Sequence, residues 1–179
     1  MQKIKNIADQ LDNFAETTGR IISWFSLAMV LITFTVVILR YAFNIGWIAM
    51  QESITYLHAC LFLLAAAYTL KHDEHVRVDV FYAHMSEYKK AIVNLLGILF
   101  LLFPVCGFIL WSSLEYVANA WSILEGSREA GGLPAVFLLK TCIPIMTILM
   151  MLQGLAQALH AIVKITTHRT ASRQDGTSS

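Results

Sequence analysis

Four long runs free of ionisable side chains divide the chain, and its charges are gathered in the short segments between them. The first run, Ile21 to Leu39, is bracketed by Arg20 and Arg40. At about 1.5 Å per residue it matches the roughly 30 Å of a bilayer core. The second is uncharged from Ser53 to Leu70 and stops at Lys71; opened near Trp47, it takes Glu52 into its helix end. The third, Ala91 to Leu114, and the fourth, Thr141 to Val163, are longer than a span needs and can tilt. Gly131 and Gly132 break structure ahead of the fourth, and Pro134 suits the first turn of a helix, so that span starts near Pro134 and takes in Lys140. The pattern predicts an all-α integral membrane protein with four transmembrane helices, at about 21–39, 47–70, 91–114 and 134–163. Pro104 and Pro144 lie inside spans and predict local kinks.

The flanks follow other rules. Ile4, Ile7, Leu11 and Phe14 recur at helical spacing, with Lys3, Lys5, Asp9, Asp12 and Glu16 around the rest of the turn. Residues 1–20 therefore read as an amphipathic interfacial helix on the cytoplasmic membrane surface, the alternative being a weakly ordered tail. Residues 21–163 form the four-helix transmembrane domain. Residues 164–179, rich in Thr, Ser and Arg without an apolar run, read as a disordered cytoplasmic tail. The first apolar run is a retained span rather than a cleaved signal: its leading flank is as acidic as it is basic, the run is too long, and no small-residue cleavage site precedes Arg40.

Composition supports lipid as the solvent: 57% of the 179 residues are hydrophobic, 14% are charged, and mean hydropathy is +0.62. The formal net charge of +1 identifies no partner, and no nucleic-acid partner is expected. The placement of basic residues is more informative. Lys3, Lys5 and Arg20 precede the first span; Lys71, Arg77, Lys89 and Lys90 lie between the second and third; Lys164, Arg169 and Arg173 follow the fourth. Only Arg40 and Arg128 occupy the other two loops. Both termini are therefore expected inside, an N-in/C-in topology.

Ionisable groups within spans are candidates for function because holding them there is costly. Here they are Glu52, His58, Lys140 and His160. His58 and His160 lie at depths too different to share a haem. Cys60, Cys106 and Cys142 fall singly within spans, as packing residues and not as an exported disulfide or a thiol-redox pair. Glu52, one turn from the outer end, reads as a hydrogen-bonded interface residue, with Tyr56 as a partner one turn on. Lys140 either snorkels outward or pairs with Glu125 or Glu129, and snorkelling is the plainer reading. His72, Asp73, His75, Asp79 and His84 crowd the middle loop without a common metal spacing, and that loop is expected to be solvated. Within it HVRVDVF alternates as a short extended or interfacial segment does, and Arg77 and Asp79 can pair there. Gln153 and Gln157, one turn apart beside Gly154 and Ala158, can bond across a helix interface inside the chain or with another. No catalytic, cofactor or metal site is expected, and the residues read as an accessory or scaffolding membrane subunit, not an enzyme. The competing reading is a small proton-coupled exporter working as a homodimer, with Glu52 as its carboxylate.

Three stretches carry a resemblance: Trp47 to Glu52 opening the second span, AAAYTLKHDEHVRVDVF from Ala65 to Phe81, and EGSREAGGLPAVFLLK from Glu125 to Lys140. Together with the four spans they resemble the small membrane subunit, the DctQ type, of tripartite ATP-independent periplasmic (TRAP) transporters, over roughly residues 15–163. One departure is that this family often opens the second span with two acidic residues, where this chain has Gln51 and Glu52. The resemblance implies a multi-pass protein of the bacterial inner membrane. Its partners would be a large membrane subunit (DctM type), which carries the substrate and sodium sites, and a periplasmic substrate-binding protein that delivers an organic acid. Trp47, Glu52, His75, Arg77, Asp79, Arg128, Lys140, Gln153 and Gln157 are then candidate subunit or docking contacts. In that scheme Arg128 and its loop receive the binding protein, while HVRVD organises the inner face.

Overall fold

The computed structural model describes residues 2–74, 82 and 84–175, with side chains of the last helix described as far as residue 168. Its elements are α1 (Gln2–Ala42), α2 (Ile48–Leu64), α3 (Ala66–Lys71), α4 (Glu87–Gly97), a π-helical turn (Ile98–Leu102), α5 (Phe103–Ser122) and α6 (Val136–Asp175). The described residues contain no strand. Among the described residues, four helical stretches are long and apolar enough to cross a membrane: Gln2–Ala42, Ile48–Lys71, Glu87–Ser122 and Val136–His168. Within the second, Ala65 interrupts the helix only locally, because its N–H still reaches the Leu61 carbonyl at 3.1 Å and its own carbonyl receives the Thr69 N–H at 3.0 Å.

The four stretches alternate in direction, and α6 packs against α1, α2, α3, α4 and α5 as a central post. The seams are lined by small side chains: Ala8, Ala15, Ala67, Ala91, Ala120, Ala156, Ala158 and Ala161 are all buried. Large apolar groups point outward instead, among them Trp24, Phe34, Phe100, Phe108 and Trp111. A chain folded in water would invert this arrangement. In lipid, close backbone approach over small residues is what drives helix association.

Two expectations about the flanks are changed by the structure. The segment before the first span is not a separate helix: α1 runs unbroken from Gln2 to Ala42, at about 1.5 Å per residue twice the length a bilayer core requires. No proline interrupts it, and Gly19 sits in its seam. Ile4, Ile7 and Phe14 face away from the bundle, while Ala8, Ala15, Gly19 and Ile22, roughly a quarter turn around the helix, face inward. A Cβ on Gly19 would collide with Cβ, Cγ and Cδ2 of Tyr68, so only glycine allows α1 and α3 to approach this closely. The tail read as disordered is helical to Asp175. Within that tail glycine first appears at Gly176, and the helix is anchored by Lys164 on Glu87 and by His168 against Tyr88 with ring centroids 4.9 Å apart.

The proline readings have distinct outcomes. Pro104 lacks an N–H, and its ring would press on the preceding turn of a regular helix. The π-helical turn Ile98–Leu102 lies immediately before it and opens that turn. Pro144 stays inside the continuous α6. Three helix ends are followed by non-glycine residues in the left-handed region, the first being Asn44 (φ 54) after α1. Asp73 (φ 62) follows α3, with Asp73 N–H on the Leu70 carbonyl and Glu74 N–H on that of Thr69. Leu124 (φ 46) follows α5, with Leu124 N–H on the Trp121 carbonyl and Glu125 N–H on that of Ala120. The last two are Schellman closures, normally the place of glycine.

Candidate functional site

Polar side chains meet in two layers, one at each end of the bundle, named outer and inner after the orientation expected from the basic residues. The outer layer is built on the loop between α5 and α6. The Schellman turn at Leu124 aims Glu125 back across the helix ends, where its carboxylate meets Lys140 Nζ at 2.5 Å. The same ammonium lies 3.9 Å from the centroid of the Tyr116 ring. Lys140 is therefore paired, correcting the snorkelling reading: Glu125 and the ring supply inside the bundle what the interface would have supplied. Trp121 Nε1 donates to Thr141 Oγ1 at 2.8 Å and its ring meets Phe137 edge-on, with centroids 4.7 Å apart.

Glu52 closes this layer. Its carboxylate accepts the Ser127 hydroxyl and, at 2.7 Å, the Leu133 N–H. Ser127 Oγ in turn accepts the Glu129 N–H at 3.1 Å, and Ser127 N–H reaches the Leu133 carbonyl at 2.9 Å. One carboxylate on α2 thus fixes the loop that begins α6. Gly132 is part of the clasp, because a Cβ there would strike Ser127 and Glu52. Tyr56, expected as the partner of Glu52, is not bonded to it; its hydroxyl is buried without a hydrogen-bond partner among the described residues. Tyr56 also lines a pocket of about 380 Å³ with Glu52, Glu125, Ser127, Arg128 and Leu139. Arg128 is exposed on the loop, and Trp47, just ahead of α2, is 56% exposed.

The inner layer joins α1, α3, α4 and α6. Glu16, which precedes the apolar stretch of α1, meets Lys71 Nζ at 2.7 Å, His72 Nε2 at 2.9 Å and Arg20 Nε at 2.9 Å. Lys71 above all, then His72 and Arg20, hold its carboxyl at about 2, against an ordinary 4.5. Asp12, one turn earlier, accepts the Gln153 amide at 2.8 Å on one oxygen and meets His160 Nε2 at 2.8 Å with the other. Gln157 Nε2 donates to the Leu70 carbonyl at 2.6 Å, a second bond to the oxygen that receives the Asp73 N–H at the end of α3. Glu87, at the start of α4, binds Lys164 of α6 and, at 3.3 Å, Lys90. Its carboxyl is also held below the ordinary range, chiefly by Lys164. Asp9, Asp12 and His160 bring three ligand atoms within 4.8 Å of one another, but Asp12 and His160 are engaged as an interhelical pair.

Gln153 is 2% exposed and Gln157 half-buried, and both amides are used within this chain. His75, Arg77 and Asp79 lie outside the described residues. Sequence reading missed Asp12 and Glu16, taken as the solvated side of a surface helix. The signal was the stripe Ala8, Ala15, Gly19 and Ile22 beside them, a small-residue seam of the kind that brings helices together. It also treated the cysteines as isolated, whereas Cys60 and Cys142 are in contact with sulfurs 3.4 Å apart. His58 is the opposite case. It lies within the second span, points away from the bundle, and has no hydrogen-bond partner among the described residues. Thr55 and Phe62 are exposed on the same face of α2.

Glu52, the carboxylate on which the exporter reading rests, is occupied in holding the loop. Neither the comparison with characterised proteins nor that with solved structures returned a match. The family model described as tripartite ATP-independent periplasmic transporters, DctQ component, matches residues 29–164. That match runs from the middle of α1 into the inner part of α6 and takes in both polar layers except for the start of α1, and the chain belongs to the DctQ family, the small membrane subunits of TRAP transporters.

Proposed function

We propose that this small permease subunit acts as a membrane brace for a large DctM-type subunit and helps receive a periplasmic substrate-binding protein, in sodium-coupled uptake of an organic acid. In this reading the protein lies in the bacterial inner membrane with both termini in the cytoplasm. The distribution of Lys and Arg supports that orientation. The clasped loop carrying Arg128 then faces the periplasm as the candidate docking element, and Trp47 anchors the outer end of α2. The segment with His75, Arg77 and Asp79 contributes to the inner face.

The observation that carries the bracing role is the outward face of α2. An imidazole presented to lipid in mid-span is costly, and a membrane partner covering His58 removes that cost. Glu52 and Lys140 hold the chain's own structure, which supports placing the substrate and ion sites in another subunit. The test is His58→Trp, which keeps the face compatible with lipid but fills the space a partner helix needs. Recovery of the large subunit with the tagged chain should fall about tenfold, equivalent to about 1.4 kcal/mol of association, while the chain alone keeps its thermal midpoint. Undiminished recovery removes this face from the interface.

A further inference from the structure

Cys60 of α2 and Cys142 of α6 are 82 positions apart in sequence and touch through their sulfurs at 3.4 Å, with both thiols free. The contact is held from both sides. Toward the outer end, Glu52 of α2 binds the loop that opens α6; toward the inner end, Gln157 of α6 binds the Leu70 carbonyl of α3. These two ties fix the sliding register of the helices, so the sulfurs stay opposite one another. Cys142 is 7% exposed and Cys60 half-buried, so an oxidant reaches the pair from the Cys60 side. Cys60 is eight residues from Glu52 and eleven from Lys71, about 12 and 16 Å at 1.5 Å per residue, deep in the apolar layer. Water-soluble thiol reagents are excluded at that depth, and lipid-soluble ones concentrate there.

We propose that Cys60 and Cys142 are a redox pair, oxidised by a membrane-soluble quinone to a disulfide that ties α2 to α6. The step balances with no further reactant. The two S–H bonds break and one S–S bond forms, while both hydrogens and the electron pair of the new oxidation state pass to the quinone, which leaves as the quinol. Cys106 is buried on α5, has no thiol contact among the described residues, and takes no part.

The experiment counts thiols in the full-length chain in native membranes. Membranes are exposed to decylubiquinone, dissolved in denaturant without reductant, and labelled with a polyethylene-glycol maleimide that adds a visible mass for every free thiol. The chain reduced beforehand with dithiothreitol should carry three adducts, one for each cysteine. Quinone treatment should reduce this to one in the monomer band, and dithiothreitol after treatment should restore all three. Cys106→Ser should fall from two adducts to none, whereas Cys60→Ser and Cys142→Ser should each keep two. Three adducts after treatment of the unsubstituted chain would overturn the proposal. So would a disulfide between two chains, or a loss of thiols that dithiothreitol does not reverse.

Discussion

Gly19→Ala tests the packing of the inner layer most sharply. The added methyl would overlap Cβ, Cγ and Cδ2 of Tyr68, atoms close enough to the α3 backbone that no rotation of the phenol ring clears them. Separation of α1 from α3 is the remaining response, and overpacking that moves backbone costs at the upper end of about 1–3 kcal/mol. Alanine is the better helix former by about 1 kcal/mol, which offsets part of this and leaves a net loss of about 2 kcal/mol. The separation would also stretch the contacts of Glu16 with Lys71 and His72, which flank the same crossing. The assay is a double-mutant cycle with Tyr68→Ala, read by unfolding the solubilised chain in a denaturing detergent series. With the ring removed, Gly19→Ala should become stabilising by about 1 kcal/mol through propensity alone, a coupling of about 3 kcal/mol between the two positions. A Gly19→Ala chain as stable as the parent with Tyr68 in place, or equal effects in both backgrounds, would refute the close approach.

Other consequences are separate. Glu16 is held at about 2 in the folded chain, so the stability it contributes is full above its ordinary 4.5 and is lost as pH falls from there through about 2; Glu16→Gln should flatten the pH dependence of the unfolding midpoint in that window, and an unchanged slope would exclude the Lys71 and His72 contacts. Lys140→Met should lower the yield of folded chain by stranding Glu125, and the double variant Lys140→Met/Glu125→Gln should recover much of it; size-exclusion profiles of the three chains decide. Leu124→Gly relieves a left-handed residue at φ 46 and should stabilise the chain by about 0.5–1 kcal/mol, measured in the same detergent series.

The spans were legible in the sequence because a bilayer imposes length and absence of charge on each stretch separately, so Ile21 to Leu39 can be read without knowing its neighbours. The inner layer was not, because its contacts are set by helix register. Asp12 is 141 positions from Gln153 and 148 from His160, and nothing local to Asp12 distinguishes it from Asp9 on a solvated turn. The usable signal was spread wider, in Ala8, Ala15 and Gly19 spaced seven and four positions apart on one face, since a stripe of small residues is superfluous on a free surface helix. Lys140 was misjudged for a related reason. Its partner Glu125 is reached only because the backbone reverses at Leu124, a residue type that does not announce a left-handed turn. The continuation of α6 to Asp175 is another effect of context: Thr and Ser carry weak helix signals, but contacts of Lys164 and His168 with α4 extend the helix beyond the last apolar run.

The bracing account is tested most directly by flux in proteoliposomes. The chain is reconstituted alone, the large subunit alone, and the two together, each with the periplasmic binding protein, a sodium gradient and a radiolabelled organic acid drawn from those the binding protein retains. The account predicts uptake only from the two-subunit vesicles. Substrate-dependent flux from vesicles containing this chain alone would contradict it.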